Sequence, residues 1–153
     1  GDPPSFVMFM LGINDCFQAN PDDPIAMDKH IDAMTNHSDT LLAAFRLAAP
    51  NAVIGICITT PPNSREEAFQ TNYKDQYHRW GWKRIQHRIV QRHIAKFTGR
   101  EKDQLYIVPT QLNLDPLDGY PPDNAVHPNE RGYKQISASI YSFLKHRFEA
   151  HPQ

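Results

Sequence analysis

Two short stretches near the ends of the chain contain side chains that could catalyse acyl transfer. Asp123-Asn124-Ala125-Val126-His127 places a histidine shortly after an acid and an amide that could orient its ring. Gly12-Ile13-Asn14-Asp15 follows an apolar run and places an amide on a tight turn, where a fixed N–H donor could stabilise an oxyanion. These residues predict a general base and an oxyanion donor, and such chemistry also needs a nucleophile.

The length and charge predict one soluble domain covering residues 1–153. The formal net charge of −1 favours neither a nucleic acid nor a membrane as a partner. No apolar run reaches the roughly eighteen residues of a membrane span, and the start lacks a signal peptide, which a secreted or periplasmic protein could have lost from a longer precursor. Cys16 and Cys57 follow apolar runs, and both are predicted to be buried free thiols.

Three apolar runs predict buried parallel strands. They are Ser5–Leu11, Ala52–Ile58 and Leu105–Val108, and none of them alternates as a half-exposed strand does. The intervening segments read as helices, so strand and helix alternate, which predicts a parallel sheet covered by helices. The loop 59–63 follows the second strand, at the edge where open α/β sheets place ligands, and it makes Thr60 and Asn63 candidates for lining a pocket.

Apolar residues at helical spacing predict the core-facing sides of three helices. Asp22, Asp23 and Pro24 predict the start of the first helix with an acidic cap, and Pro50 ends it. Ser64 with Glu67 predicts a capping box for the next helical segment. The residues predicted to face the core are Met27, Ile31, Met34, Leu41, Phe45 and Ala48, then Ile85, Ile89, Val90, Ile94 and Phe97 in the segment that ends at Gly99, and finally Tyr133, Ile136, Ile140, Phe143 and Leu144.

The two catalytic stretches, in this order, resemble the SGNH or GDSL family of esterases and lipases. Gly12-Ile13-Asn14-Asp15 at the end of a buried strand, and Val126-His127-Pro128-Asn129 before a closing helix with Gly132-Tyr133, carry the resemblance. It covers nearly the whole chain and matches the later two-thirds of the family's fold. It implies a three-layer α/β/α fold with a flavodoxin-like parallel sheet, whose amino-terminal strands are missing from this chain.

The resemblance also implies hydrolysis of a small acyl ester through an acyl-serine intermediate. Asn14 would donate its amide to the oxyanion, and His127 would take the serine proton and return it to the leaving alcohol. Asp15 would hold the turn, and Gly12, Asp15 and Asn63 would border the substrate. No cofactor or metal is expected, since no two histidines stand four residues apart as in the two-histidine zinc motif.

Two departures from the family pattern leave alternatives open. The family usually has an aspartate three residues before the histidine, where this chain has Asn124, with Asp123 one residue earlier. Either Asp123 or a backbone carbonyl orients His127, which we slightly favour, or Asn124 does so as a neutral amide. The family's Gly-Asp-Ser turn is also absent, and Ser5 precedes the first strand instead of following one, so the nucleophile is expected outside this chain.

The missing part has a consequence for the sheet. In the family, the strand that corresponds to residues 6–11 has a neighbour from the absent region, so one of its edges is predicted to be unpaired. An unpaired apolar edge invites pairing with another chain. We therefore expect a homodimer or an association with the missing amino-terminal segment.

Aromatic and basic residues leave the partners open. Between Lys74 and Lys102, basic residues outnumber acidic ones and interleave with Tyr77, Trp80 and Trp82, a composition that could hold RNA or an anionic polysaccharide. A solvated helix face is favoured, because the cations spread around the helix. The two tryptophans could instead form a surface on which a sugar ring stacks. This makes acetylated carbohydrate the first candidate substrate and lipid esters the second. The rival function is a catalytically inactive remnant or binding module of the same fold.

Overall fold

The structure is a computed structural model that describes residues 1–150, apart from the side chain of residue 150. The chain has a mixed α/β fold with a small parallel three-stranded sheet. It divides into two compact units. The first contains Gly1–Thr59 and Arg84–Ile107, and the second contains Thr60–Lys83 and the chain from Val108 onward.

The sheet has the order β1 (Phe6–Phe9), β2 (Val53–Cys57) and β3 (Leu105–Val108). β1 and β2 run parallel, with Phe6 opposite Val53. The predicted positions of the three strands are therefore confirmed to within two residues at each end. The prediction that the first strand is covered on both faces is wrong, because all four residues of β1 are only half-buried and the strand lies at the edge of the sheet.

A long helix, α2 (Pro24–Ala48), connects β1 and β2. Asp23 caps it as predicted, with Oδ1 accepting the backbone N–H groups of Ile25 and Ala26, both at 3.0 Å. The predicted inward stripe is right only in its first half. The buried residues are Met27, Ile31, Thr35 and Leu42, whereas Phe45 and Ala48 are exposed.

The helix α4 (Arg79–Phe97) also buries one stripe of side chains, and this stripe includes polar residues. Within the first unit, Ile85, Ile89 and Phe97 are buried as predicted. Ile94 is 45% exposed, and its predicted place is taken by His93, which is 6% exposed. Phe97 packs in a core cluster with Leu42, Ile54, Ile56 and Leu105.

Ion pairs join α2 to α4 and account for much of the basic segment. Arg92 Nε is 2.5 Å from Asp32 Oδ1, and its hydrogen bond to that carboxylate raises the pKa of Arg92. The other pairs are Arg84 with Asp22, Arg88 and Arg92 with Asp28, and Lys96 with Asp39. Each exposed pair contributes little stability, but together they neutralise cations that would otherwise attract an anionic polymer.

The second unit contains α3 (Glu66–Tyr73) and α5 (Glu130–Ala150). The capping box predicted for α3 does not form, because Arg65 occupies the N-cap position without a side-chain cap. Its backbone N–H donates to Oδ1 of Asn63 at 3.0 Å. Ile136 on α5 is buried with Leu114 and Tyr120, whereas Tyr133, predicted to face the core, is 53% exposed.

The two cysteines are free and buried, as predicted. Burial raises the pKa of the Cys16 thiol to about 12 and that of Cys57 to about 11. Both thiols therefore stay protonated and unreactive near neutral pH. Along residues 1–150, no helix combines the length and the apolar character that crossing a membrane requires.

The short helix α1 (Ile13–Cys16) of the first unit begins at a glycine with a left-handed backbone conformation. Gly12 has φ of +113°, a conformation that residues with a Cβ rarely adopt. A Cβ built on Gly12 would lie 3.3 Å from Cε of Met34 and 3.5 Å from Cγ2 of Ile89. The turn before Asn14 therefore depends on glycine both for its conformation and for its packing.

We expect Gly12→Ala to lower the free energy of unfolding by about 2 kcal/mol, because it combines backbone strain with crowding. Gly99→Ala is the matched control, since Gly99 also has positive φ, +79°, but nothing lies within 4 Å of its Cβ position. Denaturant unfolding measures both variants. Equal losses in the two would show that packing at Gly12 contributes nothing.

Candidate functional site

His127 lies on an irregular loop of the second unit that leads into α5. Its side chain is exposed, and its Nδ1 atom is 3.2 Å from Oδ1 of Asn124. The same amide oxygen accepts the backbone N–H groups of Val126 at 3.2 Å and of His127 at 2.9 Å. Asn124 therefore closes a local turn and holds the imidazole ring with one atom.

These contacts decide which nitrogen of His127 carries the proton. A backbone N–H can only donate, so the Asn124 atom that faces two backbone N–H groups must be oxygen and not nitrogen. An amide oxygen can only accept, so the Nδ1 atom that faces it must carry a hydrogen. In the neutral ring Nε2 is then free of a proton and can accept one, which a general base requires.

Asp123 does not occupy the orienting position. Its side chain is exposed, and its backbone carbonyl accepts a hydrogen bond from Nδ2 of Asn72 at 2.9 Å. Of the alternatives left open by the sequence, the contact with the ring seen in the structure is made by the Asn124 amide. A neutral amide fixes the ring but supplies no negative charge to stabilise an imidazolium.

Asn63 holds the His127 loop from the segment after β2. It is 0% exposed, and its Nδ2 donates to the carbonyl oxygens of Pro121 and Asn124, both at 2.9 Å. Its backbone N–H donates to the carbonyl of Ala125 at 2.9 Å. Both amide hydrogens are occupied, so the structure gives Asn63 a positioning role in place of the predicted contact with substrate.

Asn72, on the last turn of α3, is a second support that the sequence analysis missed. Its Oδ1 accepts the backbone N–H of Ala125 at 2.7 Å, and its Nδ2 donates to the carbonyl of Asp123. These partners stand 53 and 51 residues further along the chain. No local pattern could have indicated the contact, because an asparagine near a helix end has many other uses.

The residues after His127 start α5. Oδ1 of Asn129 accepts the N–H of Gly132 at 2.9 Å, which caps the helix, and its Nδ2 donates to the carbonyl of Asp118 at 2.9 Å. A Cβ on Gly132 would collide with the carbonyl oxygen of Gly119. Only glycine therefore lets α5 begin this close to the preceding loop.

The predicted oxyanion stretch lies in the first unit. Asn14 is an exposed residue of α1, so its amide is open to solvent. Asp15 is also exposed, and its carbonyl oxygen lies 2.7 Å from Nε2 of His30 on α2. That contact ties the turn to α2 through the backbone and leaves the Asp15 carboxylate uninvolved.

The structure therefore divides the candidate residues between the two units. The second unit holds His127, Asp123, Asn124 and Asn63, and the first holds Gly12, Asn14 and Asp15. Of these residues, His127, Asn124 and Asn63 are joined by hydrogen bonds into one loop. Among the residues that the structure describes, no group of three or more His, Cys, Asp or Glu side chains could hold a metal ion.

His93 is a buried histidine that the sequence analysis did not single out. It borders a cavity of about 200 Å³ in the first unit, together with Phe9, Met34 and Leu42. Its Nδ1 atom is buried and has no hydrogen-bond partner among residues 1–150. Burial lowers the pKa of His93 to about 4, because the protonated ring would lose its hydration.

Comparison with known proteins identifies a related fold and no family. No family model matches the chain, and no curated protein matches it. The chain is similar to a solved structure from Streptococcus pneumonia that is provisionally described as a platelet activating factor, with 19% sequence identity and a TM-score of 0.61. The match covers 94% of this chain and 61% of that one. At this identity the likeness shows a shared fold alone.

We expect Asn63→Leu to lower the free energy of unfolding by about 3 kcal/mol, because it leaves three partly buried backbone groups without partners, the carbonyls of Pro121 and Asn124 and the N–H of Arg65. Asn36→Leu, at an exposed position of α2, is the control and should change stability by less than about 0.5 kcal/mol. Urea unfolding of both variants tests this expectation. A small loss for Asn63→Leu would mean that water replaces its amide.

The lowered pKa of His93 predicts that the protein loses stability in mild acid. Its pKa in the folded protein, about 4, lies below the ordinary value of 6.5, so the unfolded chain binds more protons between these two values. Stability therefore falls as the pH drops from about 6.5 to about 4, by roughly 3 kcal/mol, and this contribution becomes constant below pH 4. Asp15 and His37 border the same cavity.

The variant His93→Leu isolates this contribution. Urea unfolding is measured across the window from pH 4 to pH 7 for both proteins. The wild type should lose more stability than the variant as the pH falls, and the difference is assigned to His93. Parallel curves would show that the imidazole is not protonated on unfolding, contrary to the expectation.

Proposed function

We propose that this chain is the later part of an ester hydrolase of the SGNH or GDSL type. Its α/β order and its fold likeness at a TM-score of 0.61 support a hydrolase-like α/β fold, which we assign to the three-layer, flavodoxin-like class. The match to 61% of the longer structure supports a domain that continues beyond these residues. The catalytic serine then belongs to that continuation or to a partner chain.

The observation that carries the proposal is the 3.2 Å contact between Nδ1 of His127 and Oδ1 of Asn124, from which we infer the tautomer of the ring. The Asn124 oxygen holds hydrogen on Nδ1, which leaves Nε2 to take the proton of a serine hydroxyl as its oxygen attacks an ester carbonyl. The acyl group is then bonded to serine, and the Nε2 proton passes to the departing alkoxide. Water repeats the sequence to release the acid. Asn14 serves as the oxyanion donor in this proposal.

The thiols of this chain do not replace the missing serine. Cys16 and Cys57 are 0% and 1% exposed, and burial raises the pKa of each well above neutral pH. A thiolate is the reactive form, and these sites suppress it. The nucleophile in this proposal is therefore a hydroxyl that the chain must receive from elsewhere.

Acetylated carbohydrate is our first proposal for the substrate class, and the support comes from one tryptophan. Trp80 is 61% exposed, with the Arg79 guanidinium carbon 4.0 Å from its ring centroid. An exposed aromatic face suits the apolar face of a sugar ring. Trp82 is 3% exposed, so it contributes to packing and not to such a platform. Lipid esters remain the second proposal.

The test uses the protein expressed with the coding sequence that precedes Gly1, in hydrolysis of 4-nitrophenyl acetate. We expect His127→Ala to reduce kcat by at least about a hundredfold, as loss of a general base does. His146→Ala, an exposed histidine of α5, is the control and should leave the rate unchanged. A folded protein without turnover, or an active His127→Ala variant, would favour the rival function of an inactive remnant or binding module.

Asn124→Asp gives a second, independent measure. A carboxylate keeps the acceptor for Nδ1 and for both backbone N–H groups, and it adds the charge that stabilises the imidazolium. We expect kcat to rise by about tenfold, the difference between a neutral and a charge-assisted hydrogen bond. An unchanged kcat in a folded Asn124→Asp protein would show that protonation of His127 is not part of the rate-limiting step.

A further inference from the structure

Asn72 contacts the backbone on both sides of Asn124. Its Oδ1 accepts the N–H of Ala125 at 2.7 Å, and its Nδ2 donates to the carbonyl oxygen of Asp123 at 2.9 Å. The two contacted residues are the immediate neighbours of Asn124 in the chain. The side chain of Asn72 therefore pairs with the loop as a neighbouring strand would, with one donor and one acceptor.

The polarity of these contacts fixes the orientation of the Asn72 amide. A backbone N–H can only donate and a carbonyl oxygen can only accept, so reversing the amide would break both hydrogen bonds. Aspartate at this position could accept from Ala125 but could not donate to Asp123. Alanine could do neither. The amide of asparagine meets both requirements from the last turn of α3.

Asn63 and Asn72 support the same loop in different ways. Asn63 is fully buried and holds the carbonyls of Pro121 and Asn124, so its loss is expected to reduce stability. Asn72 is exposed, so water can replace its hydrogen bond to the Asp123 carbonyl when the side chain is removed, whereas the N–H of buried Ala125 loses its acceptor. Truncating Asn72 should therefore leave the protein folded while releasing the backbone on both sides of Asn124.

We propose that Asn72 is a positioning residue that sets the tautomer of His127 by holding Asn124. When the backbone at residues 123 and 125 is fixed, the Asn124 side chain projects from the loop in a direction that brings its oxygen to Nδ1 of His127. Without Asn72, the same oxygen moves relative to the ring, and the proton distributes between Nδ1 and Nε2. The inference rests on the proposed function only for the role that it gives to His127.

The experiment measures the tautomer directly in this chain, without any esterase assay. The ¹⁵N chemical shifts of labelled histidine distinguish the Nδ1–H ring from the Nε2–H ring, at a pH where His127 is neutral. We expect the Nδ1–H form to dominate in the wild type. In Asn72→Ala the ratio of Nδ1–H to Nε2–H should fall by about fivefold to tenfold, the factor that corresponds to roughly one lost hydrogen bond.

Two further variants separate positioning from general destabilisation. Asn113→Ala also removes a side-chain hydrogen bond in the second unit, from Nδ2 of Asn113 to Oγ of Ser139 at 2.7 Å, and it should leave the tautomer ratio unchanged. Asn72→Asp keeps the acceptor for Ala125 and loses the donor for Asp123, so its ratio should fall between those of the wild type and Asn72→Ala.

The proposal is overturned if Asn72→Ala keeps the wild-type ratio in a folded protein, or if Asn113→Ala lowers it equally. If the tautomer result holds but ester hydrolysis is absent, the positioning role stands and the proposed function fails. If hydrolysis depends on His127 while Asn72→Ala leaves the tautomer unchanged, the proposed function stands and the positioning role fails. The two results therefore separate the two proposals.

Discussion

Backbone hydrogen bonding in an irregular loop is the constraint on which the second unit depends. Between Leu114 and Asn129 the chain contains Pro116, Pro121, Pro122 and Pro128, and it forms neither helix nor strand. Its peptide groups still need partners where they are buried. Side-chain amides supply them from Asn63, Asn72, Asn124 and Asn129. A loop built this way has little freedom, which suits a histidine whose ring must keep one orientation.

Local patterns predicted the strands and one of the two helix caps, because those depend on nearest neighbours. β3 was predicted at its observed bounds, and an acidic cap was predicted at the start of α2, where Asp23 provides it. The inward faces were harder, because Thr35, Gln86 and His93 are buried and an apolar stripe omits polar residues. Thr35 and Gln86 are accommodated by bonding to backbone carbonyls of Ile31 and Thr59.

The candidate site was only partly predictable for a different reason. His127 and Asn124 are three residues apart, so their pairing was among the alternatives available from the sequence. Asn63 was identified as a candidate, but its hydrogen-bond partners were not foreseen, because they lie about sixty residues further along the chain. The capping box at Ser64 failed for a local reason, because the helix begins one residue later than predicted, with Arg65 at the N-cap and its N–H donated to Oδ1 of Asn63 two residues earlier.

The buried state of the two cysteines bears on the surroundings in which the chain can work. Neither thiol pairs with the other, and neither presents a thiolate to an oxidant or to a disulfide exchange partner. The fold therefore has no covalent cross-link to lose under reduction and no ready site to gain one under oxidation. These two residues therefore require neither an oxidising nor a reducing environment.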